Sequence, residues 1–413
     1  MSGPGFFDVR MRGFRDRAEV ADVLQLLDVR TAVLPGEPVP LAELAGRVLA
    51  ESVVSAVDVP GFARAAMDGY AVRAEDTFGA DAYNPLPLTM VGEALPARPL
   101  AGEVRPGQAA RVMTGAPVPA GADAVLPAEA AEERDSRVLV REPVSPGRHV
   151  GRVGEDVARG REVLAAGRRL RPQDVGLLAA IGVGRAGVVR RPRVAVLVTG
   201  DELLPPGAVP AGYRIVDSNS PMLAALVARD GGDCLQVRYL EDRYEAVRDA
   251  IAGAEADVVL VSGGSSVGRE DHAPRAVAEL GELAVHGVAL RPASPTGVAF
   301  LLGGRVAFLL PGNPVSCLCA YDLFAGRVVR RLGGRAWELP YRTAPLPLAA
   351  KIVSAIGRVD YVRVKVAGGL AEPVAVSGAS ILSTTVVADG FALVDRDREG
   401  FAPGETVEVY LYD

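Results

Sequence analysis

Hydrophobic positions follow several distinct rhythms along the chain. Residues 17–30, RAEVADVLQLLDVR, place Val20, Val23, Leu24 and Leu27 at i, i+3, i+4 and i+7. That spacing lines one face of an α-helix. A Pro-rich break, LPGEPVP, follows, and PLAELAGRVLA predicts a second short helix starting at Pro40, where a missing N–H costs nothing. From about residue 52 to 145 the pattern becomes short apolar runs broken by Pro and Gly, such as YAVRAED, LPLTMVGEA and RVLVREPV. These predict a small β domain. Residues 193–335 change again. RVAVLV, DVVLVSGG and RVAFLLPG are continuous Val- and Leu-rich runs, with the helical patterns SPMLAALVARDGG and YEAVRDAIAGA between them. This alternation predicts an α/β domain with a mostly parallel sheet covered on both faces. From 341 onward short strands return, ending in TVEVYLYD, and predict a β-barrel-like domain.

The expected organisation is therefore an α/β multidomain chain. Residues 1–51 with 146–190 form an N-terminal helix and linker domain, and 52–145 a small β-rich domain. Residues 191–336 form the α/β ligand-binding domain, and 337–413 the C-terminal β domain.

Composition narrows the function. The formal net charge of −6 argues against a nucleic-acid partner. The basic residues are almost all Arg, with Lys only at 351 and 365, so a single Arg says little. Eleven Arg against four acids between 148 and 193 read either as a solvated face or as a basic wall toward an anionic ligand. Cys234, Cys317 and Cys319 form no C-x-x-C, and the three His are scattered. Neither a disulfide framework nor a structural zinc site is expected. No signal-peptide pattern opens the chain, and no apolar run nears the ~18 residues of a membrane span. The expectation is a cytoplasmic protein without a membrane anchor.

Candidate chemistry collects at the ends of the α/β strands, where ligands bind in such sheets. VAVLVTGDELL delivers Thr199, Gly200, Asp201 and Glu202; two adjacent acids there suit a metal or a polarised water, or a turn cap. In VVLVSGGSSVGREDH, Ser262 precedes Gly263, Gly264, Ser265 and Ser266, a turn able to form an anion nest or simply a Gly-rich bend. Asp271 follows it, placed for a Mg²⁺ riding on a phosphate. It is neither a Walker A nor a G-x-G-x-x-G sequence. LPGNPVSC turns at Pro311 and Gly312, and caps a helix with Asn313 ahead of Pro314; the free N–H groups there suit a phosphate. DSNSPM offers Asp217 and Asn219 to a ribose or base. The loop ALRPASPTGVAF joins two strands and holds Arg291, which either meets an anion or is a solvated surface Arg.

Taken in order, DVPGFARAAMDGYAV, RVMTGAPVPAGADAV, GEDV, VLVTGDEL, DSN, SGGSSVGREDH and LPGNPVSC resemble the molybdopterin molybdenumtransferases, the MoeA family, related to the C-terminal domain of gephyrin. The resemblance runs from about residue 17 to the C-terminus. It implies an elongated homodimer of four-part subunits with a molybdopterin-binding α/β domain. It also implies an activity: adenylylated molybdopterin plus molybdate gives molybdenum cofactor and AMP, with Mg²⁺ and with a molybdopterin adenylyltransferase as partner.

Carried over by motif, the family's functional residues fall on Asp68, Thr114, Asp156 and Glu202, with the first three supplied by the other subunit. The acids associated with Mg²⁺ and catalysis fall on Asp271 and, across an apparent two-residue gap, Asp242. Thr199, Gly200, Asp217, Asn219, Ser262 through Ser265, Pro311 through Pro314 and Ser316 would hold the cofactor substrate, joined by Arg363 in DYVRV and Ser380 in SGASIL. Two departures stand out. Ser265 replaces the usual Val of S-G-G-V-S. More important, the K-P-G-K-P-like loop reads Arg291-Pro-Ala-Ser-Pro, so Arg291 and Ser294 stand where two Lys are usual. The missing Lys raises two alternatives: a paralogue that binds molybdopterin without inserting metal, or a variant using tungstate.

Overall fold

Helix α1, Val20–Arg30, forms where the apolar spacing puts it and buries Val23 and Leu27. The computed structural model describes residues 17–264, 271–375 and 378–412. It divides into two compact units: Pro38–Val188, and the chain up to Glu37 together with everything from Val189.

The Pro38–Val188 unit is built on a six-stranded sheet. Its strands are β1 (Gly69–Val72), β2 (Leu86–Ala94), β3 (Gln108–Val112), β4 (Ala124–Pro127), β5 (Ala131–Arg134) and β6 (Arg137–Val140), in spatial order β4-β1-β3-β2-β6-β5. Alternate residues face opposite ways: Tyr70 and Val72 enter one core with Leu88, Leu126 and Val138, while Ala71 enters the other with Val112 and Val125. Helix α2 spans Pro172–Ala180, with proline in its first turn. The helix expected from Pro40 is only a 3₁₀ turn, Leu41–Glu43. Gly46, at φ +78°, reverses the chain before a second turn can form.

In the other unit a second six-stranded sheet carries the site. Its strands are β7 (Arg193–Thr199), β8 (Asp233–Leu240), β9 (Val258–Ser262), β10 (Gly281–His286), β11 (Gly297–Leu301) and β12 (Val306–Leu310), ordered β8-β7-β9-β12-β11-β10. Four strands are parallel, but β11 runs antiparallel to both β12 and β10, so the sheet is mixed. The connections explain this. Only the 287–296 loop separates β10 from β11, and a short turn through Gly303 and Gly304 separates β11 from β12. Neither is long enough for the crossover that parallel strands need.

Both sheet faces are covered. Val194, Val196 and Val198 pack with α1 and with α3 (Asn219–Asp230). Ala195 and Leu197 face α4 (Tyr244–Ala252) and α5 (Ala273–Leu280). Helix α6 (Pro314–Ala320) passes through a π-helical turn, Tyr321–Ala325, into α7 (Gly326–Leu332).

The C-terminal strands are β13 (Arg342–Pro347), β14 (Val359–Ala367), β15 (Leu370–Ala375), β16 (Gly390–Val394) and β17 (Thr406–Leu411). The sheet runs β14-β16-β17-β13, with β15 beside β14. It accepts one further strand, the pair Leu290–Arg291, which lies parallel to β14.

Candidate functional site

The carboxyl ends of β7, β9 and β12 open into a cleft of about 850 Å³. Thr199 ends β7, Ser262 ends β9 and leads into Gly263 and Gly264, and Pro311 through Pro314 follow β12. Asp217 and Asn219 enter from the start of α3, Asp242 from just beyond β8, and Asp271 from just ahead of α5. Gly200 and Glu202 complete this wall, and Ser380 closes the cleft from the C-terminal β domain.

Local sequence fixes the walls. Asp217 is buried and both of its oxygens are engaged. One accepts the backbone N–H groups of Asn219 (2.8 Å) and Ser220 (3.1 Å), capping α3. The other accepts the hydroxyls of Tyr239 (2.8 Å) and Ser220. Asn219, also buried, donates from Nδ2 to Ser262 Oγ (2.9 Å) and to the Gly312 carbonyl (2.8 Å), tying α3 to the ends of two strands. Gly263 adopts φ +93°, and a Cβ there would lie 2.5 Å from the Thr199 carbonyl oxygen. Gly264, at φ +59°, would bring a Cβ within 3.0 Å of Thr199 Oγ1. Only glycine permits this close approach of turn to strand.

The site's polarity is one-sided. Glu202, Asp217, Asp242 and Asp271 all line the cleft, and none of its described lining residues is Lys or Arg. Asp201 and Asp242 exchange backbone N–H to carboxylate contacts at 3.3 and 3.4 Å. Among the described residues no group of three or more His, Cys, Asp or Glu forms a ready-made metal cluster. Thr199 Oγ1 and Asn219 Oδ1 are buried without a hydrogen-bond partner. They are the polar atoms that a ligand N–H or O–H could satisfy.

Other expected residues lie elsewhere. Ser316 is buried inside α6 and Arg363 is fully buried in β14; burial lowers the Arg363 pKa. Neither lines the cleft. Ser265 lies outside the described residues. Arg291 is paired with the buried carboxylate of Asp360, and Ser294 donates to the Val288 carbonyl at 3.2 Å. From their loop only Pro295 lines the cleft. Leu203, Ile215, Val216 and Leu382 also line it. No motif marks these apolar positions, although Ile215 and Val216 adjoin DSN.

The Pro38–Val188 unit holds Asp68, Thr114 and Asp156. Asp68 accepts both the backbone N–H and the hydroxyl of Thr114, each at 2.7 Å. These bonds, the backbone one first, hold the Asp68 pKa below the ordinary carboxylate value. Thr114 borders a notch of about 430 Å³ with Arg64, His149 and Glu155. Glu155 accepts the Arg152 backbone N–H (2.9 Å) and bonds Arg64 (3.2 Å). Asp156 is exposed beside it and donates its backbone N–H to the Val59 carbonyl at 3.1 Å. Neither Arg64 nor His149, the other polar groups that line this notch, is singled out by the sequence, since single Arg and His residues carry little signal.

Three family models match the chain in order. The MoeA N-terminal region (domain I and II) matches residues 18–182. A probable molybdopterin binding domain matches 195–331, and the MoeA C-terminal region (domain IV) matches 345–412. Molybdopterin molybdenumtransferase 2 of Mycobacterium tuberculosis is 39% identical over 336 residues, covering 79% of this chain and 82% of its own. The molybdopterin molybdenumtransferase of Haemophilus influenzae is 30% identical over 403 residues, covering 94% and 98%. The crystal structure of the molybdopterin biosynthesis MoeA protein from Pyrococcus horikoshii superposes with a TM-score of 0.84 at 33% identity, covering 96% of this chain and all of that one.

Proposed function

Because the chain belongs to the MoeA family of molybdopterin molybdenumtransferases, we propose that it acts in molybdenum cofactor biosynthesis, taking molybdate and adenylylated molybdopterin to molybdenum cofactor with release of AMP. The observation that carries this reading is the cleft at the strand ends, where a glycine turn, two unsatisfied buried acceptors and two flanking carboxylates face one space. Backbone around Gly263 and Gly264 can approach the diphosphate because no Cβ intervenes. The acceptors Thr199 Oγ1 and Asn219 Oδ1 suit N–H and O–H donors of the pterin or ribose.

The donor set fits Mg²⁺, since its side chains are oxygen-bearing and a hard cation of this kind takes one or two carboxylates plus substrate phosphates. Asp242 and Asp271 would hold it, and when bound it offsets negative charge on the phosphoanhydride as AMP leaves. Asp68 is kept ionised by its bonds from Thr114. As in the family, it would serve with Thr114 and Asp156 from the second subunit of a homodimer. A cytoplasmic setting and a molybdopterin adenylyltransferase that supplies the substrate complete the reading.

The test is AMP release from adenylylated molybdopterin, with molybdate and then tungstate. Asp271→Ala is expected to lower kcat/KM by about 100-fold or more. Unchanged AMP release in that variant, or none from the native protein with either oxyanion, overturns the proposal.

A further inference from the structure

The loop between β10 and β11 bears Arg291, which stands where the family resemblance puts the first of two Lys, yet this chain gives that cation to itself. The Arg291 guanidinium is ion-paired with Asp360, which is fully buried and also accepts the Ser354 hydroxyl at 2.6 Å. The two residues are opposite one another where Leu290–Arg291 pairs with β14, and the Val359 N–H donates to the Ala289 carbonyl at 2.9 Å. So backbone and side chain both fasten the loop to the C-terminal β domain.

The rest of the loop closes on itself. Ser294, where a second Lys is usual, donates its hydroxyl to the Val288 carbonyl, and the Val288 N–H returns to the Ser294 carbonyl at 2.8 Å. Thr296 Oγ1 donates to the Ala293 carbonyl at 2.7 Å. Pro295, four residues beyond the ion pair, is the part of the loop that lines the cleft, as does Ser380 of the C-terminal β domain.

We propose that Arg291 is a positioning residue: its pair with Asp360 latches the 287–296 loop to β14, sets the Pro295 wall of the cleft, and takes no part in binding the oxyanion. The inference rests on the function proposed above. An Arg that keeps its charge at neutral pH and already faces a buried carboxylate cannot turn to an external anion without breaking that buried pair. Arg358, 3.4 Å from the other Asp360 oxygen, makes no hydrogen bond to it and does not replace the one Arg291 gives, so the exchange is costly.

The two roles give opposite signs for Asp360. If Arg291 bound the oxyanion, Asp360→Asn would release the guanidinium and lower the KM for molybdate, while Arg291→Gln would raise it. As a latch, both substitutions loosen the same wall. Each is expected to raise the KM for adenylylated molybdopterin by about tenfold with kcat and the molybdate KM changed by less than about twofold. Each is also expected to speed hydrogen exchange of the 287–296 amides. The double variant should be no worse than the worse single variant, and Arg291→Lys should recover part of the loss. Should Asp360→Asn fail to fold, Arg291→Met, Arg358→Met and Asp360→Leu together remove the charges that meet at Asp360 and are read in the same way. Opposite effects of the two single variants on the molybdate KM, or perturbations that simply add, overturn the latch. Hydrogen exchange reads the coupling whether or not AMP is released, so failure of the proposed reaction and failure of the latch are separable.

Discussion

Asn219→Ala should destabilise the α/β domain and disorganise the cleft together. In the native chain the Asn219 amide donates two hydrogen bonds, 2.9 Å to Ser262 Oγ and 2.8 Å to the Gly312 carbonyl, from a side chain that is 6% exposed. Each such bond contributes about 1 kcal/mol net, and a buried partner left unsatisfied costs about 1 kcal/mol more. The Ser262 oxygen keeps its own O–H as a donor and the Gly312 residue is exposed to water, so the sum stays near 2–3 kcal/mol. For a domain of this size that is a fall in Tm of about 5–10 °C. The chemistry should suffer separately. Asn219 is the tie between the turn after β9 and the turn after β12, and a displacement of about 1 Å at a reacting site costs roughly 100-fold in rate. Asn219→Asp keeps the shape but sets an oxygen against the Gly312 carbonyl oxygen, so near neutral pH it should be no more stable than the Ala variant. Urea denaturation at constant m gives the energy, and AMP release at temperatures well below the transition gives the rate. A loss under about 0.5 kcal/mol, the range of an ordinary surface substitution, would refute the bridging role.

Two further outcomes concern stability alone. Ala293 holds φ +99° where the family's loop carries glycine, so Ala293→Gly should raise stability by about 0.5–1 kcal/mol in thermal or urea unfolding; a loss would show that the buried methyl outweighs the backbone. Asp257 is pushed up by burial. The Arg190 fork (2.8 and 2.9 Å) and the Arg193 N–H (2.7 Å) outweigh that and leave its pKa below the ordinary value. Its stabilising contribution is therefore present above the unfolded pKa of about 3.9 and lost as pH falls through the folded one. Asp257→Asn should lose about 1–2 kcal/mol at pH 7, and its stability should depend less steeply on pH between about 5 and 2. An unchanged acid limb of the unfolding profile would contradict the ion pair's role.

Much of the framework was legible because burial writes itself into sequence as period and run length. The i, i+3, i+4, i+7 set of α1 and the Val-rich runs of β7, β9 and β12 each have one stable reading in a chain with these turns. The cleft's glycines and the proline opening α6 were legible for the same reason, since Gly263, Gly264 and Pro314 obey local backbone rules. The caps were not: Asn313 makes no side-chain cap bond, and α3 is capped by Asp217 rather than by Ser220. Partners distant in sequence were not. Asp217 offers itself to a ligand in the sequence, but Tyr239, 22 residues on, takes one of its oxygens. Arg291 reads as a cation in a loop, and nothing near it announces Asp360, 69 residues away. The antiparallel edge of the sheet was hidden too, because a Val-rich run looks the same in either direction and only the connection length decides.

The latch and the one-sided polarity of the cleft bear on one another. A diphosphate and an oxyanion entering this space meet Glu202, Asp242 and Asp271 but no described Lys or Arg among the lining residues. With Arg291 held by Asp360, the described lining leaves positive charge for the proposed substrate to backbone N–H groups, to a divalent ion on the two aspartates, or to a second subunit of the proposed homodimer, while Arg269 lies outside the described residues. Of these, the divalent ion and the second subunit can be removed experimentally without altering the loop. Oxyanion affinity in this chain should therefore fall with chelation of divalent cations, or with dilution of the subunits, and respond little to substitution of Arg291. A relative with two lysines in that loop should show the reverse order of sensitivities. On the proposed latch, the internal ion pair fixes the loop as a wall, and recognition of charge falls to groups that arrive with the substrate, with the partner copy of the proposed dimer, or from residues beyond the described lining.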